Sequence, residues 1–227
     1  MGLYPDDVFS KFHDEHISFT YASSYLLTAQ REARTSTSSL GTEFREFEER
    51  VVPTYLDPHQ YFMARLFVSH IGSFELFLQE LVACVVLKNP MKVGGIQFRL
   101  SDILETDDPE QLIQRAIDEL LNKLMYKKPI EYLREFCELL SIDSSLLADA
   151  WPRFVEAKAR RDLGVHNGWV CNPIYLRKLS EAGVQTSASA GDRLLPTDHA
   201  YAHGVNGVLY EIAKLLKTEV LRKHWKV

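Results

Sequence analysis

The stretch PHQYFMARLFVSHIGSFELFLQELVACVVLKNP, residues 58–90, decides the fold class. Between its two prolines the apolar residues Phe62, Leu66, Phe67, Ile71, Phe74, Leu78, Leu81, Val82 and Val85 recur at spacings of three and four. That is the helical period, and the stripe is too wide for a helix that covers only one face of a core. The spacing predicts a long helix at the centre of the protein.

Outward from this helix the same period continues in both directions. Towards the N-terminus a helix over about residues 6–33 is predicted, with Phe9, Phe12, His16, Phe19, Ser23 and Leu26 on one side, and the run TSTSS at 35–39 ends it. Beyond the central helix, NPMKVGG is a loop carrying Pro90 and the Gly94-Gly95 pair. Asp107, Asp108 and Pro109 then form a helix start, with proline where the first turn lacks an amide partner anyway. A helix over about 109–126 follows, with Leu112, Ala116, Leu120 and Leu124 as its stripe. Lys127, Lys128 and Pro129 break it, and Ile130, Leu133, Phe136, Cys137 and Leu140 mark a short fourth helix.

From Asp143 and Ser144, both N-cap residue types, a helix is expected to run to about Gly164, with Pro152 kinking it or marking a restart. Asn172 before Pro173 caps a short helix, the Ser-, Ala- and Gly-rich stretch up to Pro196 reads as a mobile loop, and a last helix covers about 197–224. Sustained period-two alternation occurs nowhere, no repeat is evident, and nothing marks a domain boundary. The expectation is an all-α bundle forming a single domain over residues 1–227.

Composition narrows the function classes. With 227 residues, 46% of them hydrophobic, the chain can bury a sizeable core. Lys plus Arg total 26 against 31 Asp plus Glu, a net charge of -5, which argues against a uniformly basic coat for nucleic acid. Cys84, Cys137 and Cys171 stand far apart in no ligand spacing, so neither a disulfide framework nor a zinc module is expected. No run of about 18 apolar residues exists and the start lacks the order of a secretory signal, so a cytoplasmic protein without a membrane segment is expected. A Gly-rich phosphate loop, GxSxG and HExxH are all absent. His199 and His203, four apart, could share a helical face as metal ligands, but no third ligand is identifiable and no metal or cofactor is expected. The acids Asp102, Glu105, Asp107, Asp108, Glu110, Asp118 and Glu119 face only Arg115 and read as a solvated face, or one that repels RNA from the wrong side.

One stretch differs in kind: KARRDLGVHNGW, residues 158–169. Between 152 and 161 the net charge is +3 inside an acidic protein, which makes a local anion site. On an ideal helix Arg161 and His166 point about 140° apart, so they converge only if the helix ends or bends between them, and Gly164 is where that could occur. Two readings stand. In one, the arginines are cations favoured at a helix C-terminus, Asp162 offsets their repulsion, and Asn167-Gly168 supplies the left-handed stop. In the other, a guanidinium holds a phosphate while the imidazole transfers protons near neutral pH, and these two groups suffice to cleave RNA through its own 2′-hydroxyl.

Arg161, Asp162, three further residues, then His166 and Asn167 resemble the Arg-polar-x3-His motif of the HEPN superfamily (higher eukaryotes and prokaryotes nucleotide-binding). The following GWVCNPIYLRKL is similar to what trails the motif in many of these domains, and the helix with Glu75 in SFELFLQELV looks like the family's core helix. The resemblance implies a HEPN-like helical bundle with additional helices, paired as a homodimer with two motifs facing across one composite site. It implies a metal-independent endoribonuclease acting on RNA as a toxin or phage-defence effector, with an antitoxin or regulatory protein as partner. Carried over, His166 is the catalytic acid and base, Arg161 positions the scissile phosphate, and Asp162 orients Arg161 or His166. Asn167 is a supporting donor, and Lys158 and Arg160 hold flanking phosphates; Trp169, which follows the predicted turn, either belongs to the core or stacks on a base. The alternative is a HEPN-like module that binds a nucleotide, RNA or a protein without cutting. Some family members carry a tyrosine two residues after the motif histidine, where a partner enzyme attaches adenylate; Gly168 stands there in this chain.

Overall fold

In a computed structural model the chain is described over residues 4–51, 58–93, 95–97, 108–125, 127–196 and 198–226. Its helices are α1 (Pro5–Thr35), α2 (Ser39–Val51), α3 (Pro58–Lys88), α4 (Pro109–Met125), α5 (Pro129–Leu140), α6 (Trp151–His166), α7 (Pro173–Glu181) and α8 (His199–Val220). Short 3₁₀ turns at Pro90–Val93 and Ser144–Leu147 and a wider final turn at Leu221–Trp225 complete it. The described residues contain no β-strand, only a single bridge between Val170 and Arg193. The all-α expectation therefore holds.

α3 is the central helix, as its stripe predicts. Phe67, Ile71, Phe74, Phe77, Leu78, Leu81, Val82 and Val85 are buried on it, and α1, α4, α5, α6 and α8 all pack around it. It is long and apolar enough to cross a membrane by composition, yet most of it lies inside this bundle. The stripe fails only near the start, where Phe62 is 50% exposed. Towards the start of α3, where α1 and α8 meet it, His70 is buried among aromatic rings, stacked on Phe19 with centroids 4.5 Å apart and near Phe12 at 5.8 Å. Neither of its ring nitrogens has a hydrogen-bond partner.

The helix starts at Asp108, Asp143 and Asn172 follow the capping chemistry read from the sequence, and Asp198 adds a fourth cap. Asp108 accepts from the Glu110 amide, Asp143 from Ser145, Asn172 from Tyr175 and Asp198 from Ala200, each at 2.9 Å. Two expectations need correction, at the TSTSS run and at the loop before Pro196. The TSTSS run does end α1, but it also starts α2, with Ser38 Oγ accepting from the Gly41 amide at 3.2 Å; the helical spacing of Leu40, Phe44, Phe47 and Val51 is the signal for it that sequence analysis missed. Of the two alternatives at Pro152 the restart holds: a 3₁₀ turn at Ser144–Leu147 precedes residues 148–150, and α6 begins at Trp151 with Pro152 in its first turn. The loop before Pro196 is pinned, since the Cys171 amide donates to Asp192, Gly191 to Cys171 and Leu194 to Trp169, all within 2.9 Å. Gly94, Thr197 and the acids Asp102, Glu105 and Asp107 lie outside the described residues.

Candidate functional site

α6 carries the motif, and it does not stop at Gly164. Helical geometry continues through Gly164 to His166, and Asn167 is the C-cap. Gly164 serves another purpose: a Cβ there would fall 2.4 Å from Cζ2 of Trp169. The chain turns back sharply after His166 because Gly168 and Trp169 both take left-handed backbone conformations, with φ of 57° and 68°. The Leu163 carbonyl accepts from both the Asn167 and Trp169 amides, at 2.8 and 3.0 Å, which closes the end of the helix. The indole thereby folds onto the bare backbone at Gly164 and against Phe67 of α3.

With the helix unbroken, Arg161 and His166 point about 140° apart within one copy. Arg161 turns inward to Glu75 of α3, whose two carboxylate oxygens accept from Lys158 and from Arg161. Its other terminal nitrogen lies 3.1 Å from Asp162, and the second oxygen of Asp162 accepts from Lys178 of α7 at 3.0 Å. Two carboxylates thus tie Lys158, Arg161 and Lys178 into one half-buried network with Arg161 at its centre. Burial pulls the Lys158 ammonium below its ordinary pKa, against the attraction of Asp162.

His166 is exposed and forms no hydrogen bond among the described residues. Lys158, Asp162 and His166 follow each other at intervals of four, so they form one stripe along α6, with His166 one turn beyond Asp162.

The remaining expected site residues are placed elsewhere. Arg160 sits on the opposite side of α6 from Lys158. It donates to Glu156 at 2.7 Å and lies 4.1 Å above the ring of Tyr201, while Glu156 also accepts from the hydroxyls of Tyr175 and Tyr201. It therefore holds α6 to α7 and α8, and cannot share a phosphate strand with Lys158; two residues of helix turn them about 200° apart. Asn167 donates to the Val170 carbonyl at 2.7 Å and braces the turn. Trp169 is only 7% exposed and its indole is spent on packing.

His199 and His203 do lie together, rings 4.0 Å apart, and His203 meets Ser23 at 3.2 Å. Among the described residues no group of three or more His, Cys, Asp or Glu side chains is arranged to hold a metal.

Sequence analysis missed Lys178 as a member of the network. Its signal was present, as a basic pair Arg177-Lys178 on the short helix after the motif, but only the packing of α7 on α6 brings it to Asp162. No family model, curated protein or solved structure matches this chain significantly.

Proposed function

We propose that this protein is a metal-independent endoribonuclease of the HEPN type that works as a symmetric pair of copies. The observation that carries the reading is the contrast at the end of α6: an imidazole exposed and uncommitted at His166, one turn from a carboxylate, Asp162, that braces a half-buried arginine. In this chemistry His166 takes the proton from a ribose 2′-hydroxyl, and the oxygen attacks the adjacent phosphorus. The bond to the 5′-oxygen breaks, that oxygen gains a proton, and the products carry a 2′,3′-cyclic phosphate and a 5′-hydroxyl. Arg161 supplies positive charge to the phosphorane-like transition state. Because one copy directs Arg161 and His166 to different sides, a second copy has to contribute one of the two groups to each phosphate. A toxin or phage-defence role in the cytoplasm, with a regulatory protein partner, belongs to the same proposal.

A second reading is binding without cleavage. It is favoured by the engagement of both terminal nitrogens of Arg161 with Glu75 and Asp162, which leaves its guanidinium less free to meet a phosphate. Incubation of the purified protein with a mixed RNA pool in excess EDTA separates the two. Cleavage to cyclic-phosphate ends, abolished by His166→Ala and by Arg161→Ala in folded protein, supports the nuclease. RNA retained intact in a stable complex supports the binding module.

A further inference from the structure

We propose that the cleft between the start of α5, the middle of α6 and the end of α7 binds a nucleotide, either free or as one unit of an RNA strand. The cleft encloses about 460 Å³ and lies below the Arg161 network. That volume falls within the roughly 300–1,000 Å³ of sites that hold small ligands, and exceeds what a bare phosphate would fill.

Its lining has two characters. Lys127, Lys128, Lys158, Arg177 and Lys178 bring five cations to it against a single acid, Glu181. The wall between them, with Tyr132, Phe154 and Val155, is apolar. A phosphate group seeks the first and a base or ribose the second.

The cations are not equivalent. Lys127 is paired with Glu135 at 2.6 Å, Lys178 with Asp162 at 3.0 Å, and Lys158 with Glu75. Lys128 and Arg177 are exposed and pair with no acid among the described residues. An entering phosphate therefore meets Lys128 and Arg177 first, with Lys158 and Lys178 behind them. Those two lysines share their carboxylates with Arg161, so drawing them towards a ligand leaves Glu75 and Asp162 more fully to the arginine. The cleft also lies on the line that leads to His166: Lys158 is eight residues before it on the same stripe, about 12 Å along the axis. A nucleotide seated here would be the neighbour of the one cut at His166, and in that respect the proposal rests on the nuclease reading; the binding itself does not.

The test measures the affinity of the full-length protein for 5′-AMP and for a short 2′-O-methyl oligoribonucleotide, which cannot be cut through its 2′ position. Lys128→Glu combined with Arg177→Glu is compared with a control pair, Lys214→Glu with Lys223→Glu, on exposed positions of α8 and the turn after it. The expected result is a loss of about tenfold or more with the first pair and a change within about twofold with the second. Binding of 5′-AMP identifies a free nucleotide as the ligand, and binding of the oligomer alone identifies a strand. Equal losses with both pairs, no loss with the first, or no binding of either probe by the wild type overturns the proposal. If RNA is cut while the first pair binds normally, the cleft falls and the nuclease stands. If the oligomer binds through Lys128 and Arg177 but is never cut when its 2′-hydroxyls are restored, the cleft stands and the nuclease falls.

Discussion

The indole of Trp169 occupies the space that a side chain at Gly164 would need: a Cβ on Gly164 would stand 2.4 Å from Cζ2 and 2.6 Å from two further ring atoms. Glycine inside a helix ordinarily costs about 0.5–1 kcal/mol relative to alanine. Here its removal is predicted to act the other way. Gly164→Ala should destabilise the protein by about 1–3 kcal/mol in urea unfolding, because the ring is held by a left-handed backbone and cannot swing aside. Gly207→Ala, on α8 with nothing within 4 Å of its Cβ position, should stabilise by about 0.5–1 kcal/mol. Equal effects at the two sites would mean that Trp169 is not packed on Gly164.

Glu75 is the counter-charge for two half-buried cations. Glu75→Gln keeps the shape and removes the charge, leaving Lys158 and Arg161 to repel each other with only Asp162 between them. A loss of about 1–3 kcal/mol is expected by chemical denaturation, smaller than for a fully buried pair because these side chains retain 17–21% exposure. Lys158→Met in the Glu75→Gln background should recover part of it, by removing one of the uncompensated charges.

His70 should make stability depend on pH. Burial pushes its pKa down to about 4, and the neighbouring His16 adds to the effect. The folded state therefore favours the neutral ring, while the unfolded chain binds a proton near the ordinary value of 6.5. The contribution is fully present above that ordinary value and is lost as pH falls from there towards about 4, by an amount on the order of 3 kcal/mol. His70→Phe, which keeps an aromatic ring between Phe12 and Phe19, should flatten this part of the stability-pH curve. An unchanged slope between pH 6.5 and about 4 would show that other groups control it.

A composite site makes a prediction about mixtures. Arg161→Ala and His166→Ala copies should each be inactive alone. Mixed in equal amounts and allowed to exchange, half the dimers are hybrids, and each hybrid keeps one intact Arg161–His166 pairing of the two across the composite site. Activity should recover to about a quarter of wild type per site. No recovery under conditions where exchange is demonstrated would place both groups in the same copy, or neither in catalysis.

Local chemistry determined much of this protein from sequence alone. The stripe of α3 and the caps at Asp108, Asp143 and Asn172 depend on residues a few positions apart, so spacing reveals them. The same holds for the cluster of Lys158, Arg161, Asp162 and His166, which is contiguous in the chain. Three features were decided only by the tertiary structure. Gly164 is a helix residue because a ring folds back onto it, and not the break its identity suggests. Arg160 and Arg161, adjacent in sequence, face opposite carboxylates, Glu156 and Glu75, the second of them 86 residues away from Arg161. Lys128 and Arg177 meet in one cleft because α5 and α7 both pack beside α6. The pairing with Glu75 and the cleft join segments far apart in the chain, while the contact of Trp169 with Gly164 depends on the left-handed turn at Gly168 and Trp169; the strength of a packing contact or a half-buried ion pair depends on distance in space, which spacing along a sequence does not encode.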